Sequence, residues 1–246
     1  MASGVRRSEI RLGIVTPMAN EEENAEAFVR DVLARCIGFK QVMMFVVLDN
    51  VCRDGTKHIL KNLQSEKSEL QVIWAPENRN VVDAYVRGYH EAIRANCDWI
   101  LEIDAGYSHQ PADIPQFFDR MEEGFDCVFG SRFCRGGSIS GSSMKRRLVS
   151  YGGTLLVNAV IGTRLKDMTS GFELFTHDAL KGVLDKGIHS RSPFFQTEIK
   201  VYCRNLHICE VPIQYRSASH SVGRKALQDS FSNLWRLFRL RAANHL

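Results

Sequence analysis

The stretch that most constrains this chain is Asp98-Trp-Ile-Leu-Glu-Ile-Asp104, a run of core-type residues that stops on an aspartate and passes into Ala-Gly-Tyr-Ser-His-Gln-Pro111. A short apolar run bounded by turn residues reads as a strand buried on both faces of a parallel sheet. Asp104 then emerges at the carboxyl edge of that sheet, where open α/β sheets bind their ligands. Similar runs occur at Arg11 to Thr16, which stops at Pro17, at Val42 to Leu48, which ends in Asp49-Asn50, and at Leu70 to Ala75. Between them Phe28, Val29, Val32, Leu33 and Cys36 recur with helical spacing, Asp54-Gly-Thr opens a second helix, and Val82, Tyr85, Val86, Tyr89 and Ile93 mark a third. Asn20 is expected to cap the first helix. Strands alternating with helices of this length give a parallel sheet with right-handed crossovers. Asp49 and Asp104 are therefore expected at one edge.

Further along, residues 113–122 read as a helix and 126–129 as a strand. The Gly/Ser-rich stretch 130–143 reads as a mobile loop. Lys145, Arg146 and Arg147 introduce an apolar helix to about Ile161, followed by a turn at Asp167-Met-Thr-Ser-Gly171, a strand at 172–175, a helix near Glu198 and a strand at 208–215. A polar loop from Arg216 to Lys225 leads into a last helix. No repeat or linker interrupts the chain, so the expected organisation is one catalytic-size domain, 1–224, with 225–246 as an amphipathic helix attached to it.

The 246 residues suffice for one sizeable core. A formal charge of +4 is too small to specify a polyanion, and no nucleic-acid partner is expected. No apolar run reaches the roughly 18 residues of a membrane span, and Met1 to Arg7 lacks the apolar segment of a secretory signal. The seven cysteines are scattered without a Cys-x-x-Cys pair, which points to reduced side chains, neither zinc nor disulfides, and a cytoplasmic setting.

Asn20-Glu21, Asp49 and Asp104 all fall at strand ends. One carboxylate there can accept hydrogen bonds from a base or ribose, and another can hold a divalent cation that neutralises a diphosphate. Each alone also fits a helix cap. The chain lacks the Gly-x-Gly-x-x-Gly of dinucleotide folds and any Gly-Lys-Ser/Thr phosphate loop.

Five motifs then carry a specific resemblance: Thr16-Pro-Met-Ala-Asn-Glu-Glu-Glu-Asn24, Val47-Leu-Asp-Asn-Val-Cys-Arg-Asp-Gly-Thr56, Asp104-Ala-Gly-Tyr-Ser-His-Gln-Pro111, Gly130-Ser-Arg132 and Asp167-Met-Thr-Ser-Gly-Phe172. In order and spacing, over about residues 11 to 216, the chain resembles family 2 glycosyltransferases, and within them the dolichyl- or polyprenyl-phosphate mannose and glucose synthases. The resemblance implies a GT-A fold, a Rossmann-like, mostly parallel sheet flanked by helices. It implies an inverting hexosyltransferase that uses a nucleotide sugar, such as GDP-mannose or UDP-glucose, with a divalent cation, Mg or Mn. By that likeness Pro17, Asn20, Glu21 and Asp49 hold the nucleotide, and Asp104 holds metal and diphosphate. Arg132, with Arg216, Arg224 and Lys225, clamps the anionic groups, and Glu198 faces the acceptor side. A basic residue in any of these places also fits a solvated surface, and Glu198 also fits a helix surface.

Three departures bear on function. The family's Asp-x-Asp reads Asp104-Ala-Gly106, which leaves Asp104, water and Ser108 for a weakly held cation. Asp49-Asn50 and Val51-Cys52 replace a usual Asp-Asp and Gly-Ser, which bears on the choice of base. Glu173 stands where the lipid-phosphate synthases place Arg; a carboxylate there is expected to repel a phosphate and to favour a hydroxyl acceptor. Two acceptors thus stay open, polyprenyl phosphate and a hydroxyl of a soluble molecule or glycan, beside a third reading as a nucleotide-sugar binder with weakened catalysis. A nucleotidyltransferase is disfavoured, because the first loop is acidic rather than Gly- and Lys-rich. His109, next to a proline turn, reads as a structural hydrogen-bonder. In the last helix Leu227, Phe231, Leu234, Trp235 and Phe238 share a face, with Arg236, Arg239 and Arg241 elsewhere. That pattern suits a membrane interface, and equally packing on the core or on a second copy of the chain.

Overall fold

The computed structural model describes residues 6–216 and 223–246. Nine strands and eight helices follow one another along these residues. The first half alternates as the spacing predicts: β1 (Arg11–Pro17), α1 (Ala25–Arg35), β2 (Gln41–Leu48), α2 (Thr56–Glu66), β3 (Leu70–Trp74), α3 (Val81–Arg94) and β4 (Trp99–Glu102). After α4 (Ile114–Glu122) come β5 (Cys127–Ser131), β6 (Ser138–Ser140), α5 (Met144–Ile161), β7 (Glu173–Thr176), α6 (His177–Lys186), α7 (Phe195–Tyr202), β8 (Ile208–Pro212), β9 (Gln214–Arg216) and α8 (Arg224–Ala242).

Seven strands form one sheet in the order β3-β2-β1-β4-β7-β5-β8. All neighbours are parallel except β7, which runs antiparallel to both β4 and β5. This strand reversal decides where the motifs meet: the amino end of β7 lies at the edge where β4 and β5 end, with Glu173 paired to Glu102. Along each strand successive side chains point to opposite faces. Leu12 and Ile14 of β1 therefore join a core with Phe28, Val32, Leu60, Phe117 and Phe118, while Val15 joins the opposite core with Tyr85, Tyr89, Phe175 and Leu237. Helix α3 lies close against β1, since a Cβ at Gly88 would fall 2.4 Å from Val15 Cγ1. Its start is fixed by Asn80, whose side chain accepts from the Asp83 amide.

Several expectations change on contact with the fold. Asn20 does not cap α1; with φ of 57° it bridges two loops, donating to Val51 O and accepting from the Arg53 amide. The stretch 130–143 contains β6, which pairs with β9 in a separate two-stranded ribbon. The expected strand 208–215 is two strands, β8 pairing with β5 in the large sheet and, after Ile213, β9 passing to β6 in the ribbon. All seven cysteines are free. Among the described residues no helix is long and apolar enough to cross a membrane. Met1 to Val5 and residues 217–222, the latter within the expected basic loop, lie outside the described residues.

Behind the sheet edge sits a buried ionic cluster. Glu173 is fully buried and ion-paired with Lys200 of α7, itself fully buried, which also donates to Ser170 O at 2.5 Å. Glu102 is equally buried and accepts from Tyr89 and Gln196; burial, then the nearby Glu173, pushes it well above the usual carboxylate range. The expectation that Glu173 faces an acceptor is thus replaced: its charge is matched by Lys200 inside the protein. Removing one partner of such a pair leaves an uncompensated buried charge, which costs about 3–5 kcal/mol, whereas replacing both by apolar groups is close to neutral. Urea unfolding should accordingly find Lys200→Met destabilised by about that amount and the double variant Lys200→Met/Glu173→Leu largely restored.

Candidate active site

Three neighbouring strands, β2, β1 and β4, deliver Asp49, Asn20-Glu21 and Asp104 side by side. Strands lie about 4.8 Å apart, so the loops bearing Asp49 and Asp104 are about 10 Å apart with the first loop between them. Pro17 ends β1. Asp49 uses one oxygen to accept from the Val51 amide at 2.9 Å. The first loop is tied down by backbone contacts: the Glu21 amide donates to Thr56 Oγ1 at 2.7 Å, and the Glu22 amide to Asp54 Oδ2 at 3.1 Å. Burial, then the Asp54 charge working against the Asn24 hydrogen bond, raises Glu21 above the usual carboxylate range.

Asp104 lies just beyond β4 with its side chain 39% exposed. Tyr85 of α3 donates its hydroxyl to Oδ1, and burial followed by the Asp104 charge keeps that phenol protonated. The Asp104 amide donates to His109 Nδ1 at 3.1 Å, so that nitrogen carries no hydrogen and the ring is neutral. His109 is buried, as a structural hydrogen-bonder should be, and burial lowers its affinity for a proton. It stacks on Phe172 with ring centres 5.0 Å apart and meets Tyr215 at 5.3 Å. Ser108, expected at a cation, uses its carbonyl to accept from the Arg216 amide.

Arg132 follows β5 and is no solvated surface charge: its side chain is 9% exposed. It forks onto Asp167, Nε to Oδ2 at 2.7 Å and Nη2 to Oδ1 at 2.8 Å, and reaches Thr169 and Ser150 of α5. Its guanidinium also lies 5.3 Å from the Tyr215 ring. Burial works against ionisation of Asp167, but the Arg132 charge and hydrogen bonds outweigh it and hold this acid below its ordinary value. The expected free clamp is thus a neutralised pair that fastens the 167–171 turn beside Asp104.

Glu198 lies neither on a helix surface nor free toward an acceptor. It is fully buried, accepting from the amides of His189 and Ser190, from the Tyr202 hydroxyl and from Arg236 of α8. Arg224 opens α8 and is exposed, as is Lys225. Sequence reasoning missed Tyr85 and Ser150 and quoted Asp167 only within a motif, without a role. Tyr85 counted only as an apolar position of α3, although a buried tyrosine hydroxyl requires a partner.

An open sheet of this order, with nucleotide-suited carboxylates at its carboxyl edge, is that of a nucleotide-sugar transferase. In keeping with this, the glucosyl-3-phosphoglycerate synthase of Mycobacterium tuberculosis, solved in complex with Mn2+, UDP-glucose and phosphoglyceric acid, superposes with a TM-score of 0.59 at 16% identity, covering 93% of this chain and 81% of that one. The profile of glycosyl transferase family 2 matches residues 13–184, and the chain belongs to that family. It is 27% identical over 172 residues to an undecaprenyl-phosphate mannosyltransferase of Micrococcus luteus, covering 69% of this chain and 70% of that protein. It is 24% identical over 205 residues to a polyprenol monophosphomannose synthase of Mycolicibacterium smegmatis, covering 82% and 76%.

The Arg132–Asp167 pair has a pH signature. In the wild type the folded-state proton affinity of Asp167 lies below its unfolded value of 3.8, so the stability it contributes is present above that pH and lost as pH falls through the folded value. In Arg132→Met the largest influence left on Asp167 is burial, which raises it against the retained backbone amide of residue 132 and Lys200, so stability is instead lost as pH rises. Chemical denaturation should show a wild-type-to-variant gap of about 3–5 kcal/mol at pH 7 and a smaller one at pH 4.5.

Proposed function

We propose that this enzyme transfers a hexose, of mannose or glucose type, from a nucleoside-diphosphate sugar to a polyprenyl phosphate at a membrane surface. The observation that carries the reading is the convergence of Asp49, Glu21 and Asp104 on three adjacent strand ends in a chain whose relatives include two polyprenyl-phosphate mannosyltransferases by name. Asp49 would accept hydrogen bonds from the nucleoside, and Asp104 would hold a divalent cation with the diphosphate. A bound cation supplies charge neutralisation for the departing diphosphate. The residues present fit such an ion: Asp104 is half-exposed and its orientation is set by Tyr85.

A phosphate acceptor is already anionic, so this chain has to position it rather than deprotonate it. Its oxygen forms the new bond to the sugar's anomeric carbon as the bond from that carbon to the diphosphate oxygen breaks. The leaving nucleoside diphosphate takes the electron pair, and attack from the opposite face inverts the centre. The buried Glu173–Lys200 pair removes the motive for a hydroxyl acceptor, since the carboxylate that would have received its proton is already matched.

Two helices favour membrane attachment. Met144, Leu148, Tyr151 and Leu155 form an exposed stripe along α5, with Met144 and Leu148 70% and 64% accessible. Phe231, Trp235 and Phe238 do the same on α8, whose Asn233, Leu234 and Leu237 face the core. The expected single apolar face of the last helix is thus split: Leu234 packs inward while Phe231 and Trp235 face outward. Arg236 of α8 is matched by Glu198, while Lys145 and Arg147 on α5 and Arg224, Lys225, Arg239 and Arg241 on α8 stand against one acid on these helices, Asp229, which is occupied by Ser190 and Ser192. An exposed apolar band with a basic flank suits an anionic lipid interface. Ser150, on the same helix as the α5 stripe, contacts Arg132 and Thr169, so that surface adjoins the site.

Protein supplied with labelled GDP-mannose or UDP-glucose and polyprenyl phosphate in vesicles should label the lipid; label passing solely to a water-soluble hydroxyl contradicts the reading. Asp104→Asn should lower transfer by about 10²–10³-fold, the usual cost of losing one electrostatic contact to a transition state. Leu148→Glu combined with Trp235→Glu should abolish co-sedimentation with anionic vesicles while leaving the melting temperature within a few degrees; undiminished sedimentation excludes this surface.

A further inference from the structure

Gly106 occupies the position of the missing second aspartate, and its surroundings explain the substitution. Its φ is +67°, a region L side chains seldom adopt. A Cβ built there would fall 2.5 Å and 2.8 Å from the two carboxylate oxygens of Glu21. The space into which an aspartate side chain would enter is therefore held by another carboxylate, carried by the loop after β1, the strand next to β4. Among the described residues Glu21 makes no ion pair with a Lys, Arg or His. Its amide is fixed by Thr56 and the adjoining Asn20 by the 51–53 loop, so the loop that presents it is held firmly.

We propose that Glu21 supplies the second carboxylate of the cation site, replacing from the β1 loop the group that the β4 loop lacks at position 106. The inference rests on the nucleotide-sugar reading above. Two acids from adjoining loops, Glu21 and Asp104, then face one ion, with no cationic side chain among the described residues paired to Glu21. Hard divalent cations take carboxylate oxygens and commonly complete their shell with water and substrate phosphates, so two protein carboxylates suffice. Among the described residues no group of three or more His, Cys, Asp or Glu side chains is placed to hold a metal. Cation binding should accordingly depend on the nucleoside diphosphate, which would bring the remaining oxygens.

Equilibrium dialysis of Mn2+ against the full-length protein, with UDP or GDP present, tests this without reference to turnover. The wild type should retain Mn2+ only with nucleotide. Glu21→Gln, close to isosteric, should weaken retention by more than tenfold, since losing even an outer-shell partner of a metal ligand typically costs about 10–100-fold. Glu26→Gln on α1 serves as a control that should change nothing. Gly106→Asp alone should also bind poorly, because the new side chain collides with Glu21, while Glu21→Ala/Gly106→Asp should recover most of the affinity. Mn2+ held equally by wild type and Glu21→Gln, with nucleotide retained, overturns this inference alone. A wild type that retains neither nucleotide nor Mn2+ overturns the nucleotide-sugar reading with it.

Discussion

The site depends on β7 running against its neighbours. Had β7 been parallel, its amino end and the 167–172 motif before it would lie at the far edge of the sheet from Asp104. Reversed, it sets Glu173 opposite Glu102 and brings Asp167 to Arg132, Phe172 onto His109, and both onto the loop that bears Asp104. The reversal also places two glutamates on facing positions of a buried ladder. Like charges opposite one another in low dielectric are unfavourable, and Lys200 with Tyr89 and Gln196 resolves the conflict: Glu173 is ion-paired and Glu102 is driven toward its neutral form.

From that base the polar groups fall into two kinds. Asp167, Glu173, Lys200 and Glu198 are buried and Arg132 nearly so, and each is engaged by an opposite charge, all but Glu173 with hydroxyl or backbone groups as well. Only Glu173 Oε2 among their side-chain atoms is buried without a partner, so they fix loops and helices. Asp49, Glu21 and Asp104 keep carboxylate oxygens without a cationic partner among the described residues, Asp104 meeting the Tyr85 hydroxyl and a neutral imidazole. The distinction matters chemically. A charge already neutralised inside the protein gains little from a ligand, whereas an uncompensated, half-buried carboxylate gains from a cation that arrives with a diphosphate.

Much of this was legible in the sequence. Apolar runs ending in Asp49 and Asp104, separated by helical periods, fixed the parallel half of the sheet and its active edge, because burial on both faces leaves a local signature. The direction of β7 left none, since Glu-Leu-Phe-Thr reads alike in either orientation. The Arg132–Asp167 and Glu198–Arg236 pairs join residues dozens of positions apart, and only tertiary packing reveals that these charges are buried. Helix α5 misled in the opposite sense: its apolar residues surround the helix, and composition cannot tell which of them water reaches. Gly106 registered as an absence; that the Glu21 carboxylate fills the space beside it is visible only in the fold.

The central claim is that three adjacent strand ends hold one nucleoside diphosphate. The most direct measurement is a titration of 15N-labelled protein with GDP or UDP and Mg2+, followed by amide NMR. Shifts concentrated at residues 17–22, 49–55 and 104–109 are predicted. Shifts confined to other parts of the sheet, or saturable binding that leaves those three loops unmoved, would contradict the account.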